Sequence, residues 1–468
     1  MKQKITEFIY AHRDEMVETL KALVKIPSVQ SEKEEDAPYG KECAALLDAV
    51  SGLYEESGFP TKRQKENMYS LAYLPGGKRT IGVFAHGDVV PVGDDWTVTK
   101  PFEPIEKDGF LFGRGVRDNK SGIVATLFAL RAVRELSLPF SSTVMAFTGS
   151  NEESGMADVR RFAIEEPMPD VSLVPDMSFP HSMGEKGIMR FFAVCDAPLT
   201  VVKEANGGTA FNVVLDQAIV RLAPHEDLAE EIRNLIAGNP DVTLEETEDE
   251  LVLRATGVSA HAAVPDGSVN AAYLAFTALA NCANIPERDR EILTTASMLL
   301  STCHGESFGV GFSDSAFGPL TCANGIVKME EGRLFLSFDI RYGTEGNGEE
   351  IQTKIRRMLA MQGWHVEEMD DRPGYRHAEN DKVCKLLQNV CKQFERANQT
   401  TYFAGGGTYA RHLKNAYGTG SATESGKEKP NLPEGHGAVH QCDEYMDVEG
   451  LMEGTVILTM MLLALDNE

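Results

Sequence analysis

Five side chains of the kind that bind divalent metal ions occur along most of the chain, each at the end of a strand-like apolar run. They are His86 in IGVFAHGDVVP, Asp118 in GRGVRDNKSG, Glu153 in TGSNEESG, Asp176 in SLVPDMS and His440 in GAVHQCDE. Two imidazoles and three carboxylates suit borderline cations such as Zn²⁺ or Mn²⁺, and a shared carboxylate can hold two ions about 3.5–4 Å apart. The fold must therefore bring early and late parts of the chain to one place.

The first part of the chain alternates short β-branched runs with helical segments. TIGVFAH, STVMAFTG and VSLVP are typical of strands, and SGIVATLFALRAVREL is typical of a helix. This order predicts an α/β fold with a mainly parallel sheet flanked by helices. Ligands of such sheets bind beyond the carboxyl ends of the strands, which is where His86, Asp88, Glu152, Glu153 and Asp176 fall.

The middle of the chain, from about Ile188 to Tyr375, contains none of the five metal-type ligands. A chain of 468 residues is longer than a single hydrophobic core usually supports, so two or more domains are expected. We therefore predict a discontinuous catalytic domain, residues 1–187 and 376–468, with an inserted α/β lid domain, residues 188–375. Further helices are predicted near 42–57, 381–397 and 448–465.

The composition of the chain limits the classes of binding partner and the cellular location that we expect. The formal net charge of −26, from 45 basic and 71 acidic residues, argues against nucleic acid and anionic membranes. The N-terminal apolar residues are interrupted by charges, unlike a signal peptide, and no run approaches the roughly 20 apolar residues of a membrane span. The eight cysteines form no C-x-x-C pair, which favours free thiols in a reducing compartment. We expect a cytoplasmic protein.

The motifs also follow the order of a known family. HGDVVP, GRGVRDNKSG, GSNEESG, GEKG, GGGTYAR and the late H-Q-x-x-E, from about His86 to Glu444, resemble the M20 metallopeptidases, and among them the bacterial dipeptidase V type. The resemblance implies a lid of ferredoxin-like units that does within one chain what a partner subunit does in dimeric relatives. A monomer is therefore expected rather than a dimer.

The resemblance also assigns the metal ligands. It places His86 and Asp176 on one ion, Glu153 and His440 on the other, and Asp118 between them, with Zn²⁺ expected and Mn²⁺ as the alternative. The family commonly has a second Asp, or Asp-Lys-Gly, after the bridging Asp, where this chain has Asn119. Family members typically have a cis peptide there. The departure bears on the tuning of the metals rather than on their ligation.

Three further residues are candidates for the chemical step. His86 and Asp88 are two apart at a strand end, so their side chains point the same way and Asp88 is expected to accept the other ring N–H of His86. Glu152 and Glu153 are adjacent, so one can bind metal while the other transfers protons. The family pattern makes Glu152 the general base. It also makes His261, in GVSAHAAVPDGS, the lid histidine that stabilises the oxyanion; a structural histidine is the alternative.

The remaining candidates bind substrate. Asn212 in GGTAFNVV and Arg341 in FDIRYGT match family positions that recognise the C-terminal carboxylate of the substrate, and the planar fork of an arginine suits a carboxylate. A surface salt bridge is the alternative for Arg341. Thr408 in GGGTYAR could hold the same carboxylate, or could belong to a glycine-rich turn.

The resemblance implies a metal-dependent dipeptidase that hydrolyses the amide bond of small unblocked dipeptides. The same site could serve an N-acyl-amino-acid deacylase or desuccinylase. A metal-binding protein without activity is a third interpretation, and the retained Glu152 argues against it.

Overall fold

In the computed structural model of the protein, residues 1–224, 226–424 and 426–468 are described. The chain divides into two compact units. The first comprises Met1–Met183, His377–Tyr402 and Thr408–Glu468, and the second comprises Gly184–Arg376 and Phe403–Gly407. The sequence had placed the short segment 403–407 with residues 376–468, whereas its contacts group it with the second unit.

Helices and strands occur in both units. The helices are α1 Lys2–Ala11, α2 Arg13–Val24, α3 Lys41–Glu56, α4 Lys120–Glu135, α5 Ala157–Glu165, α6 Glu226–Ile236, α7 Ala271–Ala280, α8 Glu287–Leu300, α9 Gly348–Met361, α10 Lys382–Cys391 and α11 Val448–Asp466, with 3₁₀ turns at Glu306–Phe308 and Tyr409–His412. The strands are β1 Thr61–Arg63, β2 Tyr69–Leu74, β3 Thr80–His86, β4 Ile105–Lys107, β5 Phe110–Phe112, β6 Thr143–Gly149, β7 Val171–Met177, β8 Ser182–Glu185, β9 Gly187–Cys195, β10 Val202–Asn206, β11 Gln217–Leu222, β12 Val242–Glu246, β13 Leu251–Thr256, β14 Ser313–Asp314, β15 Gly318–Pro319, β16 Thr321–Ala323, β17 Val327–Glu330, β18 Arg333–Tyr342, β19 Trp364–Arg372, β20 Tyr375–Arg376, β21 Tyr402–Ala404, β22 Ala416–Gly420 and β23 Tyr445–Asp447.

A six-stranded sheet forms the centre of the first unit, in the order β1-β2-β6-β3-β7-β22. β3 pairs in parallel with β6 and β7, and β22 pairs in parallel with β7, whereas β1 and β2 are antiparallel. Every residue of β3 after Thr80 is buried, because both faces of the sheet are covered. The predicted α/β fold, a mostly parallel sheet flanked by helices, is confirmed.

Two helices of the first unit pack against each other close to the sheet. α4 begins directly after Asp118 and Asn119, and the Asn119 side chain accepts a hydrogen bond from the N–H of Gly122, which caps the helix. α11 packs along α4. Among the described helices, α11 alone is long and apolar enough to cross a membrane, and 78% of its most apolar stretch is buried inside the protein, as in a core helix.

The second unit contains two larger antiparallel sheets and the helices α6–α9. One sheet has the order β16-β18-β9-β19, with β17 also paired to β18, and the other has the order β10-β11-β13-β12. Side chains of β18 alternate: Phe338 and Ile340 lie in the main hydrophobic core of this unit, while Asp339 and Arg341 lie on the other face of the strand.

Candidate active site

The metal-type ligands of the first unit lie at the carboxyl ends of its parallel strands. His86 is the last residue of β3, and it pairs in register with Gly149, the last residue of β6. Glu152 and Glu153 follow β6 within a few residues, and Asp176 lies near the end of β7. Parallel strands end at one edge of the sheet, so these side chains meet there.

Asp118 lies between two histidines that are far apart in sequence. His86 Nε2 lies 3.0 Å from Asp118 Oδ1 and 3.5 Å from Asp176 Oδ1. His440 Nε2 lies 3.0 Å from Asp118 Oδ2 and 3.1 Å from Glu153 Oε1. The five ligand candidates thus form two groups of three that share Asp118, each with ligand atoms close enough for one ion.

The donor set fits two divalent cations. The Nδ1 atom of His86 lies 3.0 Å from the carbonyl oxygen of Asp88, which can only accept, so Nδ1 carries a proton and Nε2 faces the carboxylates. Ligand atoms around a tetrahedral Zn²⁺ are about 3.3 Å apart, given bonds of about 2.0–2.1 Å. The observed separations of 3.0–3.5 Å match that spacing.

The carboxylates around His86 and His440 favour the binding of positive charge at this site. Burial opposes the protonation of His86, but Asp176 and Asp118 outweigh it and raise the pKa of His86 well above its usual value. For His440 burial is likewise overcome by Asp118 and Glu153, which raise its pKa to about 11. Both imidazoles thus lie in a strongly negative environment, which a metal cation would neutralise.

Glu152 differs from its neighbour Glu153. Its side chain is 8% exposed, and its Oε1 atom has no hydrogen-bond partner within the described residues. Burial raises the pKa of Glu152 well above its usual value; Asp176 and Glu153 add to the effect and His86 opposes it. Glu153, by contrast, contacts His440. The two adjacent carboxylates therefore have different surroundings, as their predicted roles require.

The sequence predicts that the side chain of Asp88 accepts the ring N–H of His86, but the structure shows the backbone carbonyl of Asp88 in that role. Its backbone carbonyl accepts the Nδ1–H of His86, while its nearest carboxylate oxygen lies 3.6 Å from Nδ1. The carboxylate instead accepts the backbone N–H groups of Glu152 at 3.1 Å and Glu153 at 3.0 Å. Asp88 thus orients the histidine through its main chain and the two glutamates through its side chain.

Asn119, the departure from the family pattern, contacts a ligand candidate directly. Its side-chain amide donates to Asp176 Oδ1 and, at 3.2 Å, to the carbonyl of Pro175. The peptide between Asp118 and Asn119 is cis, as the resemblance implied. An amide can donate to Asp176 where a carboxylate could not.

Glu444 is a positioning residue whose role was not predicted from the sequence. Its Oε2 accepts from Arg114 Nη1 at 2.8 Å and from the N–H of Gly115 at 3.0 Å. Its Oε1 accepts from the N–H groups of Arg117 at 3.0 Å and Asp118 at 3.2 Å. The buried carboxylate therefore fixes the backbone at Asp118, the residue that the two candidate metal groups share. The H-Q-x-x-E motif was the only signal for it.

Asp158 supports the glutamate pair in a similar way. One of its oxygens, Oδ2, accepts the N–H groups of Ser150 at 2.8 Å and Asn151 at 2.9 Å, and also the hydroxyl of Tyr409. It thereby holds the turn that leads to Glu152. No local pattern in the sequence indicated this contact.

Thr408, the residue before Tyr409, is 4% exposed. Its hydroxyl oxygen accepts the N–H of Ala410 at 3.2 Å and caps the short 3₁₀ turn Tyr409–His412. The structure therefore gives Thr408 a local structural contact. Its binding of a substrate carboxylate stays a prediction.

In the second unit, Asn212 and His261 are neighbours. The carbonyl of Asn212 accepts the N–H of Ala262 at 2.8 Å, and Val213 forms an isolated bridge with His261. The exposed His261 accepts the N–H of Ala263 on Nδ1 at 3.2 Å. A neutral His261 would therefore carry its proton on Nε2, where it could donate to an oxyanion.

Arg341 is buried rather than on the surface. Its Nη2 donates to Asp339 Oδ2 at 3.0 Å, its Nε donates to Oδ1 of the same carboxylate, and its Nη1 donates to the carbonyl of Gly405 at 3.1 Å. A Cβ at Gly405 would lie 2.8 Å from the Cβ of Ala263, so the glycine allows close approach. Arg341 and the His261 segment are thus joined through Gly405, and the role of Arg341 towards substrate stays a prediction.

Comparison with known proteins gives one consistent result. Residues 82–464 match the peptidase family M20/M25/M40. The Bacillus subtilis (strain 168) protein named "Putative dipeptidase YtjP" is 26% identical over 457 residues, which cover 95% of this chain and 96% of that protein. A Staphylococcus epidermidis protein named "Putative dipeptidase" is 26% identical over 481 residues, covering 99% of each. The structure of human carnosine dipeptidase 1 has a similar fold, with a TM-score of 0.61 at 16% identity over the whole of both chains. Since the family match spans most of its length, the chain belongs to peptidase family M20/M25/M40, the metallopeptidases that its motifs resemble.

Proposed function

We propose that this protein is a dipeptidase that uses two divalent metal ions to hydrolyse the amide bond of small unblocked dipeptides. One observation carries the proposal: two carboxylate–imidazole groups share Asp118, and beside them lies Glu152, whose Oε1 atom has no hydrogen-bond partner among the described residues. The similarity to proteins named as dipeptidases supports the substrate class.

In this proposal the protein side chains divide the work. His86, Asp176, Glu153 and His440 would hold the ions, with Asp118 shared. When bound, the ions would polarise the substrate carbonyl and lower the pKa of a water molecule in the site. Glu152 takes a proton from the attacking water at Oε1 and passes it to the leaving nitrogen, a role worth roughly 10²–10⁴ in rate.

The second unit is proposed to contribute recognition and stabilisation of charge. His261 would donate from Nε2 to the oxyanion that forms at the scissile carbonyl. Asn212 and Arg341, with Thr408, would bind the free carboxylate of the dipeptide. A requirement for that carboxylate makes tripeptides and dipeptide amides poorer substrates than dipeptides.

A substrate comparison tests the proposal. The purified chain is stripped with a chelator and then supplied with Zn²⁺ or Mn²⁺ in turn. Hydrolysis of dipeptides, the matched dipeptide amides, tripeptides and N-acyl amino acids is measured under each condition. We expect activity to vanish with the chelator, to return with two equivalents of metal, and to be highest for dipeptides.

Each rival has its own result in this experiment. Faster hydrolysis of N-acyl amino acids than of any dipeptide would assign the protein as a deacylase or desuccinylase. Tight binding of two ions with no hydrolysis of any substrate would leave a metal-binding protein without activity. Full activity with a single bound ion would contradict the two-metal mechanism.

A further inference from the structure

A second group of potential metal ligands occurs in the second unit, and it consists of Asp266, Cys303 and His304. A carboxylate oxygen of Asp266, the sulfur of Cys303 and a ring nitrogen of His304 lie within 4.8 Å of one another. All three residues belong to the segment Gly184–Arg376, and none of them is among the predicted catalytic, substrate-binding or metal-binding residues. Thiolate, imidazole and carboxylate together are typical ligands of Zn²⁺, whereas Mg²⁺ and Ca²⁺ prefer oxygen ligands alone.

The short segment that contains Cys303 and His304 is held in place by its neighbours. It lies between the end of α8 and the 3₁₀ turn Glu306–Phe308. The carbonyl of Cys303 accepts the N–H of Cys322 in β16 at 2.8 Å, and His304 Nδ1 lies 2.8 Å from the carbonyl oxygen of Leu320. Because a carbonyl can only accept, Nδ1 carries the proton, and Nε2 of a neutral ring has the lone pair that a metal ion needs.

Asp266 faces that lone pair from a tight turn. Ser268 donates its N–H to the carbonyl of Pro265 at 3.1 Å, and Gly267 has a φ of 80°, as in a type II turn with Asp266 at its second position. Asp266 Oδ1 lies 3.0 Å from His304 Nε2. Ligand atoms around a tetrahedral Zn²⁺ are about 3.3 Å apart, so the two side chains are close enough to share one ion.

The charges around this cluster favour a cation. Among charged side chains, Asp266 and Glu306 exert the main electrostatic effects on Cys303 and His304, and both are carboxylates. An ionised Cys303 and Asp266 together carry two negative charges, which one divalent cation balances. The alternative without a metal is a protonated His304 paired with Asp266, in which Cys303 takes no part.

We infer that this cluster is a separate metal site that binds Zn²⁺ and fixes the loop 257–270. The loop connects β13 to α7 and contains both Asp266 and His261. The ion would join the turn at Asp266 to the segment that β16 holds, and three protein ligands leave one position of a tetrahedral ion for water. The inference does not require the proposed function, because the cluster shares no residue with the candidate active site.

Cobalt substitution tests the site without any measurement of activity. Co²⁺ bound to a thiolate absorbs strongly in the near ultraviolet, whereas the five ligand candidates of the active site offer only nitrogen and oxygen atoms. The protein is stripped with a chelator and titrated with Co²⁺ as wild type, Cys303→Ser, Asp266→Asn and Cys442→Ser. Cys442 is the matched control, because it is half-buried like Cys303 and lies two residues after His440.

The wild type and Cys442→Ser should both show the thiolate absorption, and Cys303→Ser should lose it. Loss of an outer contact already weakens metal binding about 10- to 100-fold, so Asp266→Asn should need at least about 10 times more Co²⁺. The Asp266 side chain is 76% exposed, so this variant keeps the fold. After loading with Zn²⁺, metal analysis should find one ion fewer per chain in Cys303→Ser than in the wild type.

Two results would overturn the site. One is a wild type without thiolate absorption, which would leave His304 and Asp266 as an ion pair. The other is absorption that Cys303→Ser keeps and Cys442→Ser loses, which would place the thiolate beside His440 instead. Neither result involves hydrolysis of a dipeptide, so failure of the proposed function is recognised separately.

Hydrogen exchange tests the effect of the ion on the loop 257–270. An opened loop cannot bind the ion, so at a free Zn²⁺ concentration of about 100 times Kd, exchange through loop opening should slow about 100-fold in the wild type. Asp266→Asn should show no such slowing at the same concentration. Equal exchange of the wild-type loop with and without Zn²⁺ would refute its fixation by the ion.

Discussion

Replacing Glu444 with glutamine should damage both stability and metal binding. Glu444 and Arg114 are each 1% exposed, and four donors point at the two oxygens of Glu444. Burial raises the pKa of Glu444 and Arg114 opposes this. Because all four contacts are donors, they match the four acceptor positions of a carboxylate. In glutamine an NH₂ group, which donates, replaces one of the two oxygens, which accept.

The size of the effect follows from these contacts. Breaking a buried ion pair by removing one charge costs about 3–5 kcal/mol. The lost acceptor also frees backbone N–H groups that position Asp118, and the loss of such outer contacts typically weakens metal binding about 10- to 100-fold. We therefore expect Glu444→Gln to unfold at lower urea concentration in metal-free form, and to bind Zn²⁺ correspondingly more weakly in competition with a chromophoric chelator.

A double variant separates the two effects. Arg114→Met combined with Glu444→Leu replaces the ion pair with apolar groups, which is often neutral or stabilising for a buried pair. Stability should return only in part, because the unpaired charge is gone but the N–H groups of Gly115, Arg117 and Asp118 still lack their acceptor. For the same reason metal affinity should stay low. The reasoning is refuted if Glu444→Gln binds Zn²⁺ as tightly as the wild type, or if the double variant restores both properties.

Three further results are expected. Glu152→Gln should keep its metal ions and lose about 10²–10⁴ in kcat, whereas Glu153→Gln should bind less metal, as measured by metal analysis beside steady-state kinetics. His261→Ala should lower kcat about 10²–10³-fold with metal content unchanged, and unchanged kcat and kcat/KM would exclude an oxyanion role. Burial, aided by His377, lowers the pKa of His181 to about 4. The stability that the neutral ring contributes is present above the unfolded pKa of about 6.5 and is lost as the pH falls towards 4. Between pH 7 and pH 5 the wild type should therefore lose about 2 kcal/mol of stability that a His181→Phe variant retains. Equal pH dependence of urea unfolding in both proteins would contradict this.

Much of the first unit could be predicted because its signals are local. The apolar run that ends at His86 forms a buried parallel strand, and the helix after Asn119 begins one residue before its predicted start at Ser121. The helix predicted over 42–57 was found at Lys41–Glu56, again within one residue. The helix at Lys41–Glu56 buries residues at helical spacing, whereas β3 and α4 are almost continuously buried and differ in the length of their apolar runs. Both kinds of signal are visible in the sequence.

The contacts that position the ligands could not be predicted in this way. Glu444 bonds to the backbone of Asp118 across 326 positions, and Tyr409 bonds to Asp158 across 251 positions. A carboxylate that accepts backbone N–H groups leaves no pattern in its partners, because every residue except proline offers the same donor. The same reason hid the bonds from Asp88 to the two glutamates.

The role of the arginines depends on a further level of structure. A surface salt bridge was the alternative to substrate binding for Arg341, and the structure shows a third arrangement, a buried pair with Asp339 that also holds Gly405. Which contacts an arginine makes depends on strand register and on burial, and neither is visible from residue type.

The late segment of the chain contacts Asp118 in two ways. His440 approaches its carboxylate, and Glu444, four residues later, accepts its backbone N–H. One short stretch therefore contains both a ligand candidate, His440, and the residue that supports the backbone of Asp118. An ion held by Asp118 and His440, as proposed, would stay bound only while that stretch is in place, so metal binding and the folding of the stretch would stabilise each other. The candidate metal centre therefore forms only when distant segments of the chain fold together, and no local motif is sufficient for it.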